Sequence, residues 1–185
     1  QEMNFQWTTK KVFKPSAFAD AIEDEKEPNF SDLQQQIEHE IDNAFREAEQ
    51  ERLDVALSLF GRVAHLFDHL EPTTREEETY KIKRAGEVFE MKAQLLNDMG
   101  NHFAAVQQAT KCTELLPRWA VGFQTLGRAQ LNMREPTLAI QSFQRALELD
   151  EDFIEVRSKD LPLAQSLEAK IMELDEQFRF VSADD

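Results

Sequence analysis

Small and bulky apolar residues alternate along residues 120–153. Gly127, Ala139 and Ala146 are interleaved with Phe123, Leu126, Leu138, Phe143 and Leu147. Counted from Ala120, Phe123 takes the fourth position, Gly127 the eighth, Ala139 the twentieth, and Phe143 and Ala146 the twenty-fourth and twenty-seventh. Spacings of three and four place these residues on one face of each of two helices split near the middle. Counted from Gly86, Phe89, Ala93 and Leu96 fall on the fourth, eighth and eleventh positions, Gly100 in the turn, Ala105 on the twentieth, Cys112 on the twenty-seventh and Pro117 near the close. A degenerate third unit starts at Ile37, with Ala44, Ala56, Phe60 and Val63 on the eighth, twentieth, twenty-fourth and twenty-seventh positions.

This period resembles the tetratricopeptide template, W-x-x-L-G followed by A-x-x-x-F-x-x-A, whose unit is 34 residues. The fold class expected is all-α: a right-handed tetratricopeptide solenoid of about three helix pairs with a C-terminal capping helix. The repeats are placed at 37–70, 86–119 and 120–153, inside 32–157. Between the first two, "EPTTREEETYKIKRA" (71–85) reads as a helical insertion capped near Thr73 or Thr74, with acids in its first turn. Residues 158–180 read as the capping helix, with Asp160 as N-cap and Pro162 in the first turn. Leu163, Leu167, Ile171 and Leu174 then form the stripe expected to cover the apolar edge of the last repeat. Residues 1–31 are a basic, aromatic segment followed by an acidic linker, and 181–185 a fraying tail.

A solenoid of this kind presents a concave face lined by the first helix of each pair. The outward positions of the second repeat are Glu87, Glu90, Gln94, Asn97 and Asp98, and those of the third include Gln124, Arg128 and Asn132. The degenerate unit offers Glu38, Ile41, Phe45, Ala48 and Glu49. The alternative reading makes these ordinary solvated helix faces. Chaperone-binding members of the superfamily resemble one another in a Lys, Asn and Arg clamp for an acidic C-terminus. Here those positions hold Ile41, Phe45, Gln94, Val121 and Thr125, so the resemblance to a co-chaperone for such tails fails.

Charge sharpens the picture. The chain has 185 residues, 36 acids against 21 bases and a net charge of −15, which disfavours nucleic acid and anionic membranes as direct partners. A basic peptide or protein is favoured. No apolar run approaches a membrane span, and "QEMNFQWTTKKVFK" lacks the apolar core and cleavage site of a secretory signal. With a single cysteine, Cys112, a cytoplasmic or nuclear location is expected. Chemistry is sparse: no glycine-rich phosphate loop is present, and His65 and His69, one helical turn apart, lack a third ligand. Cys112 occupies a small-residue core slot. The expectation is a non-enzymatic protein with no metal and no cofactor.

The first eighteen residues carry Lys10, Lys11 and Lys14 against Glu2, with Phe5, Trp7, Val12, Phe13 and Phe18 among them. Three uses are open to this segment. It can fold back on its own solenoid, anchor a partner through Phe5, Trp7 and Phe13, or remain a disordered tail with weak nuclear-import character.

The stretches "QTLGRAQL", "AIQSFQRAL" and "KDLPLAQSL", with "NFQWTTKK" and "DEKE" upstream, resemble the tetratricopeptide repeat protein 33 (osmosis-responsive factor) family. The resemblance implies a small, non-enzymatic repeat protein. The expected function is that of an adaptor or scaffold binding a protein or peptide in its acidic groove, alone or as a subunit of a multiprotein complex; homotypic self-association is the alternative and is less favoured.

Overall fold

The computed structural model describes residues 29–181. Its helices are α1 (Phe30–Glu49), α2 (Leu53–His69), α3 (Arg75–Asp98), α4 (His102–Leu115), α5 (Ala120–Asn132), α6 (Pro136–Leu149) and α7 (Leu161–Val181), the last preceded by a π-turn (Val156–Asp160). Helices α1/α2, α3/α4 and α5/α6 pack as pairs, the pairs stack in chain order, and α7 lies on α6. The all-α solenoid expected from the period is the fold observed.

Each hairpin turns through one left-handed residue: Glu51 (φ 58°), Gly100 (φ 78°) and Arg134 (φ 65°). Gly100 and Arg134 stand one 34-residue unit apart, so the same turn recurs whether or not a glycine fills it. Side chains cap the starts of α1, α3 and α4. Asn29 accepts the Asp32 amide at 3.0 Å. Thr74 and Glu77 form a reciprocal capping box on α3, which fixes Arg75 as the first residue of a helix 24 residues long. Hydrogen bonds to Glu77, first from the Thr73 amide, hold its carboxyl below the ordinary carboxylate value.

Small residues let the pairs close. The Phe143 ring is fully buried, and a Cβ placed on Gly127 would meet its Cε1 at 2.5 Å. Gly86 faces Leu116 in the same way, at 2.5 Å. Ala139, Ala146, Val156 and Ala164 complete the C-terminal core around Phe143, and Leu33, Ile37, Ile41, Ala44, Phe60 and Val63 build the N-terminal one. Helices α1 and α3 are also tied by polar contacts. Glu38 accepts from Tyr80 Oη at 2.7 Å and from Arg84 Nε at 2.9 Å. Arg84 in turn holds the Glu38 carboxyl below its ordinary value of 4.5.

The C-terminal helix departs from expectation. Asp160 is not an N-cap, because the chain is already helical from Ile154 and runs without a break through the π-turn into α7. The Leu161 amide reaches back to the Val156 carbonyl, five residues away. Pro162 accounts for this: within a helix its ring clashes with the carbonyl four residues earlier, that of Ser158, and it has no N–H to donate. Widening the turn relieves both problems. The expected stripe does not cover the last repeat either. Leu163, Leu167, Ile171 and Leu174 are 54%, 36%, 42% and 52% exposed, while Ala164 is fully buried.

Two outcomes test this packing. Gly127→Ala should cost about 1–3 kcal/mol in urea unfolding because the buried ring has nowhere to move. Gly61→Ala, with nothing within 4 Å of the new Cβ, should be neutral or gain up to about 1 kcal/mol from helix propensity. In the second, Glu38→Gln should lose no more than about 1 kcal/mol at neutral pH, since the pair is partly solvated. A lowered folded-state pKa gives stability that is present above 4.5 and is lost as pH falls through the folded value. The difference between the two proteins should therefore close in acid, as read by thermal melts across pH.

Candidate functional site

The first helices of successive pairs, α1, α3 and α5, follow one another along one side, the π-turn lies next to α5, and α7 continues from it against α6. Polar side chains bridge them at a regular step. Thr125 Oγ1 donates to Glu90 Oε1 at 2.6 Å, and Asn132 Nδ2 donates to Asn97 Oδ1 at 2.9 Å, both 35 residues apart. At the next seam Gln124 Nε2 donates to Asp160 Oδ2 at 2.8 Å, 36 residues apart. The additional residue is the one the π-turn inserts.

Two arginines anchor this surface. Arg84 bonds Glu87 at 2.7 Å and Glu38 on the neighbouring helix. Arg128 bonds Asp160 at 2.9 Å and Glu155 at 3.0 Å. Burial works against the Arg128 charge, but its hydrogen bonds to Asp160 and Glu155 prevail and raise its pKa. The same contacts lower that of Glu155. Each guanidinium is thus held by two carboxylates. Gln94, Asn97, Asp98, Gln124, Thr125 and Arg128 line a small depression of about 120 Å³.

The residues expected to face a ligand divide into three groups. Gln94, Asp98 and Asn132 are exposed, and Asn97, Glu87 and Arg128 are half-buried on the same surface. Two expectations need correction. Glu90 and Gln124 are only 4% and 5% exposed; they lie in the seams between pairs, with their polar atoms bonded to Thr125 and Gln94, and to Asp160 and Glu155. In the degenerate unit Ile41 belongs to the core, whereas Phe45 remains exposed, edge-on to Phe60 with ring centroids 5.8 Å apart. Phe5, Trp7 and Phe13 lie outside the described residues.

Fixed 34-residue counting missed Arg84, Glu155 and Asp160. Arg84 precedes the first counted position of its repeat. Asp160 reaches the groove because of the π-turn, for which the only sequence signal is Pro162. Elsewhere the surface is chemically plain. Cys112 is fully buried, and that burial pushes its thiol up to about 12. His65 lies 3.7 Å from Asp68 on an exposed turn. No cluster of three or more metal-ligating side chains occurs among the described residues, and no helix there is long and apolar enough to cross a membrane.

No family model matches the sequence. Tetratricopeptide repeat protein 33 of Xenopus laevis is 41% identical over 80 residues, covering 43% of this chain and 31% of that protein. The Homo sapiens protein of the same name is 40% identical over 81 residues, covering 44% and 31%. The matched stretch thus spans less than a third of the length of these curated relatives. Among solved structures, MamA 41-end from Desulfovibrio magneticus RS-1 superposes with a TM-score of 0.51 at 19% identity, over 76% of each chain. The MamA RS-1 ArsTM double mutant gives 0.50 at 18% identity, over 80% of this chain and 84% of that one. At such identities the likeness is one of fold. The chain is therefore an all-α tetratricopeptide-type repeat solenoid, similar in sequence to tetratricopeptide repeat protein 33 and in fold to MamA.

Proposed function

We propose that this chain is a non-enzymatic interaction scaffold of the cytoplasm or nucleus whose concave face takes a protein segment bearing Lys or Arg beside an apolar anchor. The observation that carries the reading is the charge balance of that face. Glu38, Glu87, Asp98, Glu155 and Asp160 meet Arg84 and Arg128, with Lys83 at the edge, 3.9 Å from Glu87, and Lys159 near Glu155. Both guanidiniums are already engaged by carboxylates, so they are poor receptors for an acidic ligand. The exposed groups near Arg128, Gln94, Asp98 and Asn132, can accept hydrogen bonds and favour cations. The tetratricopeptide architecture supports the same reading, since stacked pairs leave a long concave surface.

Gln94 and Asp98 are exposed, so Gln94→Lys with Asp98→Lys inverts the groove without disturbing the core. Fluorescence anisotropy with a labelled peptide alternating Lys and Leu should give binding that weakens with salt. The double variant should lose about tenfold or more in affinity, since like-charge contacts cost upward of a kcal/mol. Equal binding of the charge-inverted peptide, or undiminished binding by the double variant, would overturn the reading.

A further inference from the structure

The row of groove positions does not end at α5. Stepping 34 residues, Val88, Gly122 and Val156 occupy equivalent buried places on the first helices of successive units. Beyond the π-turn the step lengthens by one. Leu95 and Ala129 are followed by Ala164, and all three are buried. In the lengthened register the column Gln94, Arg128 continues to Leu163, and the column Asp98, Asn132 continues to Leu167. Ile171 and Leu174 follow on the same side of α7 at helical spacing. The stripe left uncovered on α7 is thus the C-terminal end of the concave face, an apolar floor adjoining an acidic one.

We infer that the chain's own N-terminal segment, residues 5–18, docks across this composite face in cis, with Lys10, Lys11 and Lys14 against the acidic stretch and the aromatic residues on Leu163 and Leu167. The inference rests on the groove reading above and names its first occupant.

Complementarity is one support. The segment joins three lysines to Phe5, Trp7, Phe13 and Phe18 with no acid among them, matching in one short peptide both halves of the surface. Reach is the other. Neighbouring helices lie about 8–10 Å apart, so α7 is about 30 Å from α1 along the row. Phe18 stands twelve residue steps before Phe30, where α1 begins, and these can extend about 40 Å; the separation from Phe13 allows nearly 60 Å. The segment therefore reaches α7 with slack. A tethered occupant also needs little intrinsic affinity, because a flexible link holds it at roughly millimolar effective concentration.

The full-length chain tests this through Trp7. Subtracting the emission of Trp7→Phe from that of the parent isolates the Trp7 signal from that of Trp119. Docking should give blue-shifted emission and acrylamide quenching roughly threefold weaker than in a Leu163→Glu, Leu167→Glu double variant, because an indole on an apolar floor is shielded. The shielding should survive tenfold dilution. Circular dichroism melts of the double variant check that its exposed substitutions leave the fold intact. In parallel, Lys10→Glu, Lys11→Glu, Lys14→Glu should raise affinity for the Lys-Leu probe peptide about tenfold by removing a tethered competitor.

Equal quenching of Trp7 in the parent and the α7 variant overturns the inference, and probe binding that persists then leaves the groove reading standing. Protection lost on dilution also overturns it, because the segment then sits on a second copy. Shielded Trp7 with no probe binding, even in the lysine variant, supports the docking and removes the reading of a foreign basic partner.

Discussion

The solenoid depends on how closely two helices approach at Gly127. With only a hydrogen there, the Phe143 ring lies close against Gly127, and a single added carbon would overlap it. That approach sets the spacing within the pair, so Ala139 and Ala146 lie inside the same core as Val156 and Ala164. Neither helix could bury its apolar face alone. Gly86 allows a second close approach, to Leu116, at a different position of the pair before. Where the helices meet this tightly, only small side chains fit, and the polar side chains of the first helices are left to line the seams and the concave face.

Pro162 modifies this regular construction at one place, with consequences at both ends of the π-turn. The turn swings Asp160 to Arg128 and Gln124, so the last seam is held by an ion pair where the previous seam has the uncharged hydroxyl of Thr125. It also advances the helix by one residue, about 100° of rotation. Ala164 then meets the core in place of Leu163. The same buried slot holds Leu95 and Ala129 in the two units before, and the inserted residue brings Ala164 rather than Leu163 into it. The leucines are released to the concave side by the same rotation.

Much of the fold was legible because its determinants are local and periodic. Gly127, Ala139, Phe143 and Ala146 announce their own packing through spacing, and the sequence "TTREE" announces a helix start through capping chemistry. The groove was legible only in part. Positions such as Gln94 and Asp98 follow from helical geometry alone. Whether Glu90 and Gln124 face outward or into a seam depends on a partner one unit away, and outward-position counting carries no information about that partner. The orientation of Leu163 and Leu167 was misread for a related reason. Amphipathic spacing identifies a face but not what the face meets, and a one-residue register change upstream sends the same stripe elsewhere.

The joining of acidic and apolar halves on one surface has an energetic consequence. Each exposed carboxylate contributes little by itself, since solvated ion pairs are worth about 0–1 kcal/mol, and a few partly exposed leucines form a modest anchor. Such a face binds short segments weakly unless they are tethered or multivalent. Suppose the N-terminal segment has an intrinsic dissociation constant of about 50 μM and an effective concentration of about 1 mM; the site is then roughly 95% filled. A foreign segment would see its affinity reduced about twentyfold, because only the open fraction can receive it. Under that arithmetic selectivity comes from competition: a partner must exceed the resident segment in both charge and apolar contact before it gains the groove.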